Sequence, residues 1–147
     1  MIQNNQTTDE SQIRLLLSEW ANALRDKDID KIMSLYSPDV VTFDVVPPLQ
    51  YVGTTAYGKS FRRMFDGFLD PIAFDTRDLN IAVGTDVAFS HSLVRTGGTM
   101  TSGEETDRWL RRTLCLRKIS GTWLITHEHV SLPVNLESGN AAVNLQP

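Results

Sequence analysis

The residues best suited to chemistry in this chain are a carboxylate, three histidines and an arginine, each in a strand-like run. Asp44 sits in VVTFDVVPP, near the end of an apolar stretch that Pro47-Pro48 closes. With a regular pleat, Val40, Thr42, Asp44 and Val46 share one face, and Val41, Phe43 and Val45 the other. The second face is wholly apolar and reads as core. The first is mixed, as the wall of a cavity would be. A carboxylate that ionises near about pH 4 is a weak base in neutral water, and partial desolvation would raise its pKa and improve it. A surface aspartate that ends the strand or caps the turn before Pro47 is the competing reading.

His127 and His129 are two apart in a strand and point to one face with Trp123, Ile125 and Ser131. They can line a pocket and move protons, or be satisfied sheet histidines. An H-x-H pair can also hold a metal if His91 or Asp44 supplies a third ligand. No metal or cofactor is expected. His91 alternates with Phe89, Leu93 and Arg95. Arg111 shares a face with Trp109, Thr113 and Cys115. An arginine on such a face needs a partner, either Asp44 or a ligand carboxylate or enolate, unless it is exposed. Tyr36, Tyr51, Phe61, Met64, Phe65 and Trp109 could wall a cavity for a hydrophobic ring compound, or be ordinary core. Tyr57 is assigned to an exposed shoulder and left out.

Helices and strands must bring these residues together. Ile13, Leu16, Leu17, Trp20, Ala21 and Leu24 form one helical stripe, with Thr7 and Glu10 at capping-box spacing before it. Asp28 can cap a short second helix with Ile29, Ile32, Met33 and Tyr36 inward, ended by Ser37-Pro38. A third helix starts at Thr54 or Thr55, carries Phe61, Met64, Phe65 and Phe68 on its stripe, and ends at Gly67. From Pro71 the period becomes two, giving strands over 72–83, 87–96, 106–118 and 122–132. Hairpin-short joints make the first two, and the last two, antiparallel pairs. Helices first and a long twisted sheet after them make an α+β fold, whose curled sheet can leave a cavity open at one end.

The chain has 147 residues, 41% of them hydrophobic and 22% charged, which suits one globular domain. Its formal charge of −4 offers nucleic acid or an anionic membrane no general attraction. The basic groups Lys59, Arg62, Arg63 and Arg108, Arg111, Arg112 read as solvated faces. The one cysteine, Cys115, excludes an intrachain disulfide and reads as a small buried hydrophobe. The first residues lack a signal-peptide pattern and no apolar run is long enough to span a bilayer, so a cytoplasmic protein is expected. The expected organisation is a flexible N-terminus over 1–7, a domain over 8–133 and a loose C-terminal tail over 134–147.

Two stretches resemble a known family. The block from Trp20 to Asp44, with its Asp28-x-Asp30 turn and Leu35-Tyr36…Asp39 ending, resembles the helix-helix-strand opening of the ketosteroid isomerases. GTWLITHEHVSLP, from Gly121 to Pro133, resembles the ending of SnoaL-like proteins. Both belong to the nuclear transport factor 2-like superfamily of cone-shaped α+β folds, in which three N-terminal helices pack on a strongly curved antiparallel sheet enclosing a pocket. The resemblance implies that Asp44 stands at the proton-abstracting aspartate. It puts Trp20 at the isomerases' oxyanion-hole tyrosine, and Thr113, or Arg112 one residue away, at their sheet acid. Neither Trp nor Thr reproduces a phenol paired with a buried acid, so true steroid isomerase activity is not expected. The expected function is a cofactor-independent isomerase or cyclase that moves protons on a small hydrophobic carbonyl compound. Asp44 would be the base, with His127, His129 and Arg111 assisting, and Trp20, His91 and Thr113 joining the apolar liners. The alternatives are a noncatalytic small-molecule-binding or dimerisation module and, more weakly, an epoxide hydrolase-like enzyme, which would need a second aspartate. By the same analogy the chain is expected to be a homodimer.

Overall fold

The computed structural model describes the backbone of residues 2–147 and the side chains from residue 5 onward. The first helix, α1 (Ile2–Arg25), starts ahead of the Thr7–Glu10 spacing, so Thr7 lies inside it rather than capping it. No Gly or Pro precedes Thr7 to stop the helix from extending. Of the stretch expected to be flexible, Met1 and the side chains of residues 2–4 lie outside the described residues. Helix α2 (Ile29–Ser34) is capped as expected, the Asp28 carboxylate accepting from the Lys31 N–H at 3.0 Å. Tyr36 opens strand β1 (Tyr36–Phe43) instead of closing α2. A two-residue strand that the sequence reading lacks, β2 (Tyr51–Val52), precedes α3 (Thr54–Gly67). Gly53 leads into α3 at φ 85°, where a side chain would be strained. Strands β3 (Ala73–Val83), β4 (Val87–Thr99), β5 (Glu105–Ile119) and β6 (Thr122–Ser131) follow.

The six strands form one curved, unclosed sheet in the order β2-β1-β6-β5-β4-β3. All neighbours are antiparallel except β1 and β6, which run parallel. The helices cover the inner face, with α1 against β3 and β6 and α3 against β1. Ile13, Leu24, Ile32, Val40, Leu114, Leu116 and Ile125 are fully or almost fully buried between the layers. Helix α1 is tied to the sheet through Asp9, which accepts from Lys118 Nζ at 2.8 Å and Trp123 Nε1 at 3.0 Å. These bonds hold the Asp9 carboxyl below its ordinary pKa. The segment after the sheet folds back on itself: Val134 pairs with Ala141, and Asn135 N–H donates to the Asn140 carbonyl at 2.8 Å. Among the described residues no helix is long and apolar enough to cross a membrane.

The inner and outer faces differ from expectation in two strands. On β1, Val40 and Thr42 are wholly buried, whereas Val41 is half-buried and Phe43 is exposed. The mixed face is therefore the inner one. On β5 the inner row is Arg108, Leu110, Arg112, Leu114 and Leu116. Trp109, Arg111, Thr113 and Cys115 point outward, and Cys115 is half-buried rather than core.

One close approach holds two long strands together. Gly97 of β4 is buried opposite Asp107, and a Cβ there would collide with the Thr106 carbonyl oxygen and lie 3.1 Å from the Asp107 Cα. Backbone cannot yield as a flexible side chain can. Gly97→Ala should therefore cost about 1–3 kcal/mol of stability, read as a lower urea midpoint with an unchanged slope.

Candidate functional site

Between the inner sheet face and helices α1 and α3 lies a cavity of about 490 Å³. Its wall is mostly apolar: Trp20, Leu24, Phe61, Met64 and Phe68 on one side, with Phe74, Val94, Leu110 and Val130 from the sheet and Leu132 just past it. Its charged and phenolic groups are Asp44, Tyr57, Arg112 and Glu128, with Arg63 and Arg108 also lining it, and Ser60, Thr96 and Thr106 add hydroxyls.

A buried ion pair organises this wall. Arg112 on β5 and Glu128 on β6 are neighbours on adjacent strands, 5% and 1% exposed. Arg112 Nε donates to Glu128 Oε1 at 2.7 Å. Glu128 Oε2 accepts from the Tyr36 hydroxyl at 2.7 Å and the Tyr57 hydroxyl at 3.0 Å. Trp20 Nε1 in turn donates to the Tyr36 oxygen at 2.9 Å. The Arg112 guanidinium lies over the Trp20 ring, 3.9 Å from its centroid, a cation–π stack shielded from water. Burial is the largest single influence and opposes the Arg112 charge, but attraction to and hydrogen bonding with Glu128, together with the neighbouring Tyr36 and Tyr57, raise the pKa on balance. Burial, reinforced by Glu128, pushes both Tyr36 and Tyr57 well above the ordinary phenol value. These phenols are donors fixed in their neutral form. Arg112 Nη2 is buried and has no acceptor within the protein. A buried unpaired donor is costly, and Arg112 is a residue of the cavity wall, so its guanidinium has a donor to spare for a ligand oxygen.

Asp44 stands just past the end of β1, half-buried on the cavity wall. Burial raises its pKa. The Val45 N–H, which donates to Oδ1 at 2.6 Å, pulls it down; repulsion from Glu128 raises it; the adjacent Tyr57 hydroxyl lowers it. Raising prevails. The carboxyl, one phenol and a guanidinium with a free N–H thus share one small apolar chamber. That arrangement can take a proton from an acidic C–H and hold negative charge on an oxygen.

The other expected site residues divide. Trp20, Phe61 and Met64 line the cavity. Tyr36 is buried behind it, as the support of Glu128. Tyr51 and Phe65 are buried outside its wall, Tyr51 donating to the Pro47 carbonyl at 2.8 Å. His91, Trp109, Arg111, Thr113, His127 and His129 sit on the outer sheet face, away from the chamber, and the expectation that they line it is corrected. For β6 the reason is a bulge. Cys115 pairs with His127 but Leu116 pairs with Ile125, leaving Thr126 as an extra residue. The bulge inverts the alternation, so Trp123 and Ile125 face inward before it and Glu128 and Val130 after it. His127 Nδ1 instead donates to the Val41 carbonyl at 2.6 Å, and its ring packs edge-on against Phe43 at 4.7 Å. Arg111 donates to Ser131 Oγ at 3.0 Å. Among the described residues, no three His, Cys, Asp or Glu side chains converge on a metal site, so the H-x-H pair gains no third ligand.

Sequence reasoning missed Glu128 and Tyr57. Tyr57 had a signal, because it lies four residues before Phe61 and extends the α3 stripe. Glu128 had none, since an acid between two histidines carries no mark of burial. Arg112 appeared only as the second option for the sheet position. It is the one that faces inward, and it puts a cation where the isomerase resemblance implies an acid.

Breaking this pair should be expensive. Glu128→Ala would leave Arg112 charged and buried without its acceptor, a loss of about 3–5 kcal/mol. Denaturant unfolding checks it, and the same assay on Arg111→Ala, an outer-face change, should differ from wild type by less than about 1 kcal/mol.

Comparison with known proteins agrees with this geometry. The sequence profile of the SnoaL-like domain matches residues 13–135. An NTF2-like protein of unknown function from Pseudomonas putida KT2440 is 33% identical, with 96% of this chain and 98% of that chain covered and a TM-score of 0.88. A ketosteroid isomerase-like protein from Erwinia carotovora atroseptica SCRI1043 shares the fold at 20% identity, covering 82% and 93% of the two chains with a TM-score of 0.71. So does a protein provisionally named scytalone dehydratase from Novosphingobium aromaticivorans DSM 12444, at 14% identity, 99% and 100% coverage and a TM-score of 0.80. No curated protein matches the chain. With its helices, its curved sheet and a profile match running almost from end to end, the chain belongs to the SnoaL-like domain family of NTF2-like folds.

Proposed function

We propose that this protein is a cofactor-independent proton-transfer enzyme for small hydrophobic carbonyl compounds, with Asp44 as the base. The observation that carries this reading is the pairing, in one apolar chamber, of a half-buried carboxyl whose pKa is raised with a buried guanidinium nitrogen that lacks an acceptor. Asp44 would remove a proton from carbon beside the carbonyl. The electron pair would move onto the carbonyl oxygen, and Arg112 Nη2 would donate to that oxygen as it becomes negative. Returning the proton from Asp44 to a different carbon completes an isomerisation. Delivering it to a departing β-hydroxyl group completes a dehydration, with water leaving. Isomerase and dehydratase are the activities in the names of two fold relatives, and either begins with the same proton abstraction. Arg112, not Arg111, and Tyr57, not the outer histidines, are the assisting groups in this scheme.

Glu128 takes no direct part. Its oxygens are occupied by Arg112, Tyr36 and Tyr57, which disfavours an epoxide hydrolase that needs a second free carboxylate to activate water. A second copy of the chain is proposed to cover the outer sheet face, where Phe43, Val52, Val87 and Phe89 are exposed. Sedimentation equilibrium of the wild type against Phe89→Glu reads this directly, with a dimer expected for the first and a monomer for the second.

The catalytic reading is tested by solvent deuterium exchange at carbons next to the carbonyl, followed by NMR across a panel of ring ketones. Wild-type exchange should fall as pH drops through an Asp44 pKa above the ordinary aspartate range. Asp44→Asn should slow exchange by about 10²–10⁴-fold. Ligands that bind with no exchange, and with equal affinity in both proteins, would mark a binding module instead.

The same carboxyl carries a stability signature. Its folded pKa is raised above the ordinary 3.8, so the neutral form is favoured by folding and ionisation penalises the native state. The favourable contribution is present below the ordinary value and is lost as pH rises through the folded pKa. Asp44→Asn should therefore melt at a higher temperature than wild type at neutral pH, and the gain should vanish below pH 3.8.

A further inference from the structure

The charges on the chamber wall are unevenly spread. Deep inside, Arg112 and Glu128 neutralise one another at 2.7 Å. Two more guanidinia line the cavity, Arg63 from α3 and Arg108 from β5, and both side chains are exposed, so they stand where the cavity opens. Arg63 Nη2 makes one long hydrogen bond, 3.4 Å to the Tyr51 hydroxyl, and no ion pair. Among the described residues, Arg108 makes neither a hydrogen bond nor an ion pair. No acidic residue other than Asp44 and Glu128 lines the cavity. In a protein with formal charge −4, two exposed cations on the wall of one apolar cavity, neither of them in an ion pair among the described residues, are a local reversal of sign. Such a rim attracts anions and orients them as they enter.

We propose that the compound this chamber accepts is an amphipathic carboxylate, its apolar ring body inside and its carboxylate held at the opening by Arg63 and Arg108. The proposal rests on the reading of this cavity as the substrate site and names the substrate's class. Size fits: about 490 Å³ equals roughly sixteen waters of liquid volume, enough for a fused-ring body. Polarity fits as well, since one end of the wall is apolar and the other cationic. A carboxylate fits better than a phosphate. Phosphate sites are commonly built on helix N-termini and runs of backbone N–H groups, and the start of α3 at Gly53 and Thr54 does not line the cavity. Two guanidinia on separate elements suit the two oxygens of a carboxylate.

The test compares 2-naphthylacetic acid with its neutral isostere 2-naphthylacetamide and with 2-naphthyl phosphate, by titration calorimetry at low ionic strength. Exposed ion pairs are individually weak, so the wild type should prefer the acid over the amide by about five- to thirtyfold. Added salt should erode the preference. The double variant Arg63→Ala/Arg108→Ala should lose it while binding the amide as wild type does. Asp44→Asn should keep it, because the rim does not depend on the base. Equal binding of acid and amide by the wild type, no binding of either, or tighter binding of the phosphate overturns the proposal. Acid preference without deuterium exchange in any ketone overturns the catalytic reading and leaves this one standing. Exchange that depends on Asp44, with no acid preference, does the reverse.

Discussion

The polar end of the chamber is arranged around one buried ion pair. Glu128 has no solvent to ionise into, so each of its oxygens must be matched by a donor, and Arg112, Tyr36 and Tyr57 supply them. Those demands place the rest. Tyr36 must reach inward from the start of β1, and it brings the Trp20 indole with it. Tyr57 must lie between two carboxyls, which couples Asp44 to the network. Arg112 turns its Nε to Glu128, and its Nη2 is left without an acceptor. Hydrophobic residues of similar volume would fill the same space at little or no loss of stability. Such a network fixes the arrangement of its members more than it adds net stability, and it leaves one of its own donors unpaired.

The elements were legible because their signals are long. The α1 stripe over 13–24, the α3 stripe from Phe61 and the four long strands each repeat their period several times, and their ends fall close to where turn residues place them. Faces were legible only where nothing interrupts the period. On β5 the leucines at 110, 114 and 116 marked the inner row, yet Trp109 and Cys115 made the opposite row look equally apolar. On β6 a local irregularity near Thr126, invisible in residue types, moved both histidines outside and Glu128 inside. The family resemblance drew attention to Asp44, which lines the cavity, but carried no information about a guanidinium at the sheet position, since this chain departs there in charge.

The outer face of the sheet has its own character. All three histidines of the chain lie on it, and Phe43 packs against two of them, at 4.7 and 5.4 Å. His91, Thr113, His129 and Phe43 occupy one row across four neighbouring strands. This row holds two imidazoles, a hydroxyl and a phenyl ring, while the inner side is dominated by aliphatic and aromatic contacts around the Arg112–Glu128 pair. The two sides of one sheet therefore live in different dielectric worlds, separated only by the thickness of a backbone.

The supernumerary residue in the last strand has an implication for how such proteins diversify. A descendant that dropped it would keep every later pairing, because Ile125 and His127 already oppose the consecutive residues Leu116 and Cys115, so the glutamate would stay inside and the imidazoles outside. A rearrangement that kept the residue but straightened the strand would instead turn the imidazoles inward, so the irregularity itself, rather than any side chain, decides which lining the chamber receives.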